Sequence, residues 1–378
     1  MRILLAPDKF KGTLAAAEVV EIIGSGLRLV DPSCQVTGMA MADGGDGTLA
    51  MALAHGYREC VAPAVDGLGR KIEARYGTRG SEALIELASV CGLAGVLDRP
   101  LRPWQASSLG LGLVARHAAE SGASEIVIGL GGSASVDGGL GFAQGLGVRV
   151  RDRLGMVVPP GLLGVRRAVR VNLRGIPEAV RAARWRFLVD VTNPLLGPLG
   201  AAAVFGPQKG LGQAEIAVAD ASLEAWVQLL DPRDGPALAG VPGMGAAGGV
   251  AYAGLALLDA RVTPGAEWVA EEIRLREHIT ASDIVITGEG SFDRQSLMGK
   301  APGLVIAVAR ELGKPVYVLA GTCGLDSVQV REVGVAGVIC LADLAGSPAE
   351  AMRAPGDWLA RGTATLAQQF LDLGGRPG

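Results

Sequence analysis

Cysteine and histidine are scarce in this chain of 378 residues. The five cysteines form no CxxC pair, and the three histidines lie far apart in the sequence. Scattered cysteines in odd number predict reduced, buried thiols and a cytoplasmic protein. The separated histidines are interpreted as structural, which argues against a histidine-rich metal site. These residues are Cys34, Cys60, Cys91, Cys323, Cys340, His55, His117 and His278.

The chain also has few aromatic side chains, a small net charge and no long apolar run. Aromatic residues make up 4% of the chain, the net charge is −3, and no basic tract occurs. Neither a nucleic-acid partner nor a membrane surface is therefore expected. The Ala/Gly-rich run 244–258 is shorter than the ~20 residues of a membrane span, and it predicts a buried helix. The chain enters an apolar strand at once, which predicts that it has no signal peptide.

Lysine is rare as well, since only six of the 35 basic residues are lysine. Four of the six, Lys9, Lys11, Lys209 and Lys300, lie in segments rich in glycine or aspartate. An ammonium group is a common point-charge ligand of phosphate. These lysines therefore predict a site for anions, with phosphate favoured. The alternative is chance placement on polar loops, which attract charged residues in general.

Length and patterning predict a two-domain α/β protein, because single cores rarely exceed ~250–300 residues. Residues 1–60 have the strand–helix–strand–helix pattern of a parallel sheet, and residues 280–378 resume it. Thr13 is expected to cap the first helix. The intervening stretch begins with a hairpin pattern over 61–76. We therefore predict a discontinuous Rossmann-like parallel-sheet domain, with residues 61–279 inserted as a mixed α/β domain.

Acidic and ammonium side chains follow three of the predicted strands. Ligands of open α/β sheets bind at the carboxyl ends of strands, so these side chains are expected to converge on one edge. The alternative is that each cluster is an ordinary turn, where Asp and Gly are common. The strands are predicted over 2–6, 35–41 and 283–287, and the side chains after them are those of Asp8, Lys9 and Lys11, of Asp43 and Asp46, and of Glu289 and Asp293.

A glycine-rich segment, GLGGSASVDGG at 129–139, lies between a predicted strand and a predicted helix. Gly131 and Gly132 let backbone N–H groups turn inward, and Ser133 and Ser135 add hydroxyls, so the segment favours phosphate binding. It is not a Walker A loop, because no Gly-Lys-Ser/Thr follows. A purely structural glycine-rich turn is the alternative.

Oxygen ligands for Mg²⁺ are available near this loop from Asp137, Asp190 and Asn193. Mg²⁺ is commonly held by one or two carboxylates together with nucleotide phosphates and water. Phosphoryl transfer mainly requires a metal ion, cationic side chains near the phosphoryl group that is transferred, and a correctly positioned hydroxyl. A covalent hydrolase fits less well, because no Ser or Cys has an evident histidine partner.

Taken together, these segments resemble the bacterial glycerate kinase family, of the type that phosphorylates the 2-hydroxyl of glycerate. The set includes APDKFKGT, MADGGDGT and TGEGSFDRQS, occurs in family order and spans nearly the whole chain. The matching segments are 6–13, 41–48, 129–139, 190–197, 205–210, 245–249, 287–296 and 299–302.

The resemblance implies ATP-dependent phosphorylation of D-glycerate with Mg²⁺, in a cleft between the two domains. Lys9 or Lys11 would meet the substrate carboxylate or the moving phosphoryl group. The glycerate hydroxyl would be oriented, and its proton accepted, by Asp8, Asp43 or Asp293. The remaining expected site residues are Glu289 and Lys300 on the opposite wall, Gly131, Gly132, Ser133, Ser135 and Lys209 at the ATP phosphates, and Asp137, Asp190 and Asn193 at the metal.

The sequence departs from the family pattern in two places. Asp46 stands where the family usually has Glu, and Ser135-Val136 replaces a Thr-Asn pair. The second change removes an amide that could contact phosphate or metal. A kinase for another small hydroxy or sugar acid stays open, as does a homo-oligomeric state. A non-catalytic metabolite-binding protein is the other alternative, although it would not need several convergent carboxylates.

Overall fold

The computed structural model describes residues 1–297 and 299–374, with side chains up to residue 369. The chain divides into two compact units. Unit 1 comprises Met1–Asp43 and the chain from Ala266 onward, and unit 2 comprises Gly44–Gly265. The domain borders predicted from the sequence lie later, after residues 60 and 279, and that division stays a prediction.

The described residues contain thirteen strands, which are shorter on average than the helices they alternate with. In chain order they are β1 (Arg2–Leu5), β2 (Gln35–Gly38), β3 (Arg58–Val65), β4 (Lys71–Arg79), β5 (Glu82–Glu86), β6 (Glu125–Gly129), β7 (Arg149–Arg151), β8 (Arg170–Asn172), β9 (Arg184–Val189), β10 (Arg261–Pro264), β11 (Ile284–Phe292), β12 (Val316–Cys323) and β13 (Gly337–Cys340).

Eighteen α-helices are found in the same described ranges, many of them only one or two turns long. They are α1 (Ala16–Val30), α2 (Thr48–Ala54), α3 (Leu87–Cys91), α4 (Leu109–Glu120), α5 (Leu140–Gly145), α6 (Leu162–Arg167), α7 (Glu178–Ala182), α8 (Ala201–Phe205), α9 (Gln213–Leu230), α10 (Gly235–Ala239), α11 (Val250–Leu258), α12 (Gly265–Glu272), α13 (Leu275–Ala281), α14 (Ala301–Glu311), α15 (Ser327–Glu332), α16 (Leu341–Ala345), α17 (Pro348–Arg353) and α18 (Pro355–Gly374).

Unit 1 is built on a five-stranded sheet of order β13-β12-β11-β1-β2. All four strand pairings are parallel. The helix α1 buries Val19, Ile23 and Leu27 in the core of this unit. Burial of each such side chain is worth about 1.5–3 kcal/mol. The parallel-sheet α/β character predicted from the sequence is therefore confirmed for this unit.

The prediction that Thr13 caps α1 is wrong. The helix begins at Ala16, and its first turn is closed by Glu18, whose carboxylate accepts the backbone N–H of Ala15 at 2.7 Å. Thr13 instead donates its hydroxyl to the carbonyl of Phe10. A carboxylate in the first turn also complements the helix dipole, so the acidic side chain outcompetes the hydroxyl.

Unit 2 is built on a six-stranded mixed sheet of order β10-β9-β6-β5-β4-β3. The pairs β3–β4 and β4–β5 are antiparallel, and the other pairs are parallel. The predicted hairpin is therefore present, although its strands extend beyond 61–76. Strands β7 and β8 form a separate two-stranded sheet, which the sequence analysis missed.

The helix α2 lies in unit 2. Its entry is fixed by Glu86 at the end of β5, whose carboxylate accepts the N–H groups of Gly47 and Leu49. Glu86 is buried, and no sequence signal marked it. This contact ties the start of α2 to the end of β5, which is also in unit 2.

The Ala/Gly-rich run contains α11, whose residues Val250–Ala253 are buried, as predicted. Among the described residues, no helix combines the length and the apolar character that a membrane crossing needs.

Candidate active site

Asp8 lies just beyond β1 and continues its ladder with β11. The register of the pair joins Leu5 to Ile286, and the N–H of Asp8 donates to the carbonyl of Gly288 at 2.8 Å. The same offset places Asp8 alongside Glu289. Residues paired in a parallel ladder present their side chains on the same face of the sheet. The two carboxylates are therefore neighbours, although 281 residues separate them in the sequence.

Strand β11 is longer than predicted, and this is a correction to the sequence analysis. It was expected to end at Thr287 and to release a loop, but it continues to Phe292. The extension pairs with β12, where Glu289 stands opposite Ala320. Close packing requires glycine here, because a Cβ at Gly321 would lie 2.4 Å from the carbonyl oxygen of Gly290. Glu289 therefore lies on a strand.

Lys9 stands between two carboxylates. Its Nζ is 3.6 Å from Oδ1 of Asp8 and 3.8 Å from Oδ1 of Asp43. Burial raises the pKa of Asp8 to about 6, the ammonium of Lys9 opposes this shift, and Asp43 adds to it. The structure thus brings together three predicted site residues in unit 1, whereas Asp46 lies in unit 2.

Glu289 is 7% exposed, and its Oε1 has no hydrogen-bond partner among the described residues. Burial raises the pKa of its carboxyl to about 7. Ser296 and Lys300 oppose that shift, and the charges of Asp8 and Asp293 add to it. A buried carboxylate whose pKa is displaced toward neutrality is a common feature of functional sites.

The remaining predicted residues of unit 1 lie around this cluster. Oδ1 of Asp293 accepts the N–H of Gln295 at 2.7 Å and that of Ser296 at 3.3 Å, which fixes the turn after β11. Lys300 occupies the cap position of α14. Lys11 is exposed on the turn that follows Phe10.

The glycine-rich segment of unit 2 is mostly buried. Gly132 is exposed and Gly131 half-buried, whereas residues 133–139 are buried. Asp137 is fully buried and organises the segment, because its carboxylate accepts N–H groups from Ser108, Gly139 and Gly141. Burial raises the pKa of Asp137, and these hydrogen bonds oppose the shift.

Lys209 is directed into the same segment. It is 4% exposed, and its Nζ donates to the carbonyl of Ser135 at 2.7 Å and faces Oγ of Ser133 at 3.4 Å. Burial lowers its pKa to about 8, although Asp137 and Cys91 oppose the shift. The ammonium expected at the ATP phosphates therefore holds the loop itself.

The three predicted metal ligands differ in their surroundings. Asp137 is enclosed by N–H donors, as described above. Asp190 follows β9 and is half-buried, and Asn193 donates its amide to the carbonyl of Leu199 at 2.9 Å. Within residues 1–297 and 299–374, no group of three or more His, Cys, Asp or Glu side chains is arranged to hold a metal ion. A magnesium ion here would therefore depend on phosphate oxygens and water for most of its ligands.

Ser108 is a residue of this segment that the sequence analysis missed. Its hydroxyl lies 2.9 Å from Oδ2 of Asp137, and it accepts the N–H of Phe142 at the same distance. It lies 29 residues before Asp137, and no local sequence pattern predicts the contact.

Three features are typical of a ligand-binding α/β enzyme. They are charged side chains at the ends of parallel strands, a buried carboxylate oxygen without a hydrogen-bond partner among the described residues, and a glycine-rich strand–helix loop. Comparison with known proteins makes this specific. Residues 3–371 match the model of the glycerate kinase family. The chain is 37% identical to the glycerate 2-kinase of Escherichia coli (strain K12), over 97% of both chains.

Two further relatives agree. A glycerate kinase of Halalkalibacterium halodurans is 36% identical over 93% of each chain. The crystal structure of a protein assigned as glycerate kinase 2 from Salmonella typhimurium LT2 superposes with a TM-score of 0.81, at 33% identity and over 98% of both chains. The chain belongs to the glycerate kinase family and is an enzyme of that kinase class.

Proposed function

We propose that this enzyme transfers a phosphoryl group from ATP to the 2-hydroxyl of D-glycerate and so forms 2-phosphoglycerate. The observation that carries the proposal is the Asp8–Lys9–Asp43 cluster, found in a chain that matches a kinase family along nearly its whole length. The choice of the 2-hydroxyl is supported by the name of the Escherichia coli relative. The alternative of a non-catalytic metabolite-binding protein is disfavoured, because the chain matches an enzyme family.

In unit 1, Lys9 supplies positive charge to the glycerate carboxylate or to the moving phosphoryl group. Stabilisation of charge that develops in the transition state is the main contribution such a group makes. Asp8 and Asp43 flank the ammonium and orient the substrate hydroxyl. Lys11 and Lys300 add cationic character near the same strand ends, and Asp293 shapes the turn beside them.

In unit 2, the backbone N–H groups at Gly131 and Gly132 are the part of the glycine-rich loop that solvent reaches, and we assign them to the ATP phosphates. Ser133 and Ser135 lie within the loop, Lys209 donates to it from outside, and all three maintain its shape. The sequence predicted that they bind the phosphates directly, and we propose instead that they position the loop.

Mg²⁺ would lower the negative charge of the triphosphate, which is the chemistry that the ion supplies in kinases. Asp190 is the predicted ligand that fits best, because its carboxylate is half-buried at a strand end. The side-chain oxygen of Asn193 is a second donor, since the amide nitrogen is the atom engaged with Leu199. Asp137 fits poorly, because backbone N–H groups surround it.

Cytoplasmic location is proposed on the ground that all five cysteines are free thiols. The homo-oligomeric state stays a prediction.

The test is a product analysis with purified enzyme, Mg-ATP and D-glycerate. We expect equimolar ADP and phosphoglycerate, with ³¹P–¹H coupling to the single proton on C2. A product whose ³¹P signal is coupled to the two C3 protons would show that the enzyme phosphorylates the 3-hydroxyl instead. A panel of other small hydroxy and sugar acids separates glycerate from the alternative substrates. Turnover of one of these and none of glycerate would overturn the proposal.

A further inference from the structure

Glu289 has a buried carboxylate oxygen with no partner. The side chain is 7% exposed, and Oε1 accepts no hydrogen bond from any described residue. A buried polar atom left unpaired costs free energy, so native structures rarely keep one without a functional reason. The atom therefore indicates a donor beyond the described residues, a role that a substrate hydroxyl can fill.

Two neighbouring carboxylates of unit 1 each have one oxygen that accepts backbone hydrogen bonds of its own segment. Oδ1 of Asp8 accepts the N–H of Lys9 at 2.7 Å, and the Lys9 ammonium also faces Asp43. Oδ1 of Asp293 accepts two backbone N–H groups of its own turn. Glu289 is thus the carboxylate of this cluster with a buried acceptor atom available to a substrate hydroxyl.

The backbone holds Glu289 rigidly. Strand β11 is paired with β1 on one side and with β12 on the other. Gly288 and Gly290 flank the residue and allow close packing, since a Cβ at Gly288 would lie 2.3 Å from the carbonyl oxygen of Leu319. A group that transfers a proton must be positioned to within a fraction of an ångström, and a central strand supplies that precision better than a loop.

We propose that Glu289 is the catalytic residue that accepts the proton of the glycerate hydroxyl. The proposal rests on the function proposed above. The O–H bond breaks, and the proton passes to Oε1 of Glu289. The hydroxyl oxygen forms a bond to the γ-phosphorus of ATP. The bond from that phosphorus to the bridging oxygen breaks, and its electron pair leaves with ADP.

Four groups face Glu289 from the elements around it. Asp8 and Asp293 contribute negative charge, Lys300 positive charge, and Ser296 a hydroxyl. Burial is the dominant influence and raises the pKa of the carboxyl to about 7. A base is most effective when its pKa lies near the working pH, because it is then both ionised and able to take the proton.

The test compares wild type, Glu289→Gln and the control Glu311→Gln, whose exposed carboxylate pairs with Arg276 in the same unit. Initial rates are measured with Mg-ATP and D-glycerate from pH 5 to 9. For Glu289→Gln we expect kcat to fall at least ~100-fold, as for loss of a general base, with KM changed less than about threefold. The acidic limb of the wild-type profile, with an apparent pKa near 7, should disappear.

The control should keep the wild-type rate and profile. If the wild type forms phosphoglycerate and Glu289→Gln forms it at an undiminished rate, the role of Glu289 is overturned and the proposed function is not. Absence of phosphoglycerate from the wild type instead overturns the proposed function, and this assignment with it. Should Glu289→Gln fail to fold, the wild-type profile decides, because a rate that stays constant down to pH 5 excludes a base of this pKa. Partial recovery of Glu289→Ala by added formate would support the proton-transfer role.

Discussion

Lys9 illustrates how much of this site depends on single side chains. The ammonium lies 3.6 Å from Oδ1 of Asp8 and 3.8 Å from Oδ1 of Asp43. Two carboxylates therefore share its charge. An incoming anion can share it, and the pair of carboxylates keeps the side chain in position.

Removal of this charge should impair catalysis more than folding. We expect Lys9→Ala to lower kcat at least ~100-fold, because a contact to transition-state charge is lost. Asp43→Ala should cause a loss of similar size. The control is Lys71→Ala, an exposed lysine of β4. Steady-state rates of folded variants are the measurement, and near-normal turnover would remove Lys9 and Asp43 from the mechanism.

Asp137 has the opposite character, since it serves the fold. Asp137→Asn places an NH₂ group against N–H donors and should destabilise the protein by about 1–3 kcal/mol, the cost of an unsatisfied buried group. Urea unfolding measures this directly. Asp234→Asn, an exposed position that makes no side-chain capping bond, should change the unfolding free energy little. Equal stability of the two variants would contradict the role assigned to Asp137.

At the scale of elements, the contact between β11 and β12 controls the position of Glu289. The strands approach so closely that glycine backbones meet at positions 290 and 321. The clash at Gly321 would involve a carbonyl oxygen of the main chain, which cannot rotate away as a flexible side chain does.

Gly321→Ala should therefore separate the two strands. We expect a destabilisation of about 1–3 kcal/mol, as for overpacking, together with a lower kcat because Glu289 moves. Gly95→Ala is the control, since a Cβ there meets nothing within 4 Å. Thermal unfolding and activity are measured on both. A Gly321→Ala enzyme with unchanged melting temperature and rate would show that the strands can adjust.

Much of the whole architecture follows from sequence pattern. The apolar runs that became β1 and β6, and the hairpin of β3 and β4, were predicted because their periodicity is local. The extension of β11 was not, because the sequence Gly288-Glu-Gly290 resembles a loop until the packing of Gly321 is known. The inward direction of Lys209 was missed for a related reason, since its acceptor at Ser135 lies 74 residues away.

The pH dependence of stability is also a property of the whole molecule. The folded-state pKa values of Asp8 and Glu289 are raised to about 6 and about 7. The folded protein thus binds these protons more tightly than the unfolded chain. Their contribution to stability is complete below about pH 4, near the unfolded pKa values, and is lost as the pH rises through 6 and 7.

We therefore expect the unfolding free energy to fall between pH 5 and 8. For Glu289 the effect is on the order of 3 kcal/mol at most, from 1.36 kcal/mol per pKa unit. Urea unfolding at several pH values measures it, and Glu289→Gln should flatten the curve. A wild-type stability that rises over this interval would mean that neither carboxyl is protonated as described.

The placement of Glu289 within a strand also limits how related sequences can vary in length. Because successive strand residues face opposite sides, deletion of one residue between 284 and 288 would turn this carboxylate to the other side of the sheet. A residue gained or lost in the turn after position 293 would leave it where it is. Natural or engineered length changes are thus expected to be absent from residues 284–288 of the strand.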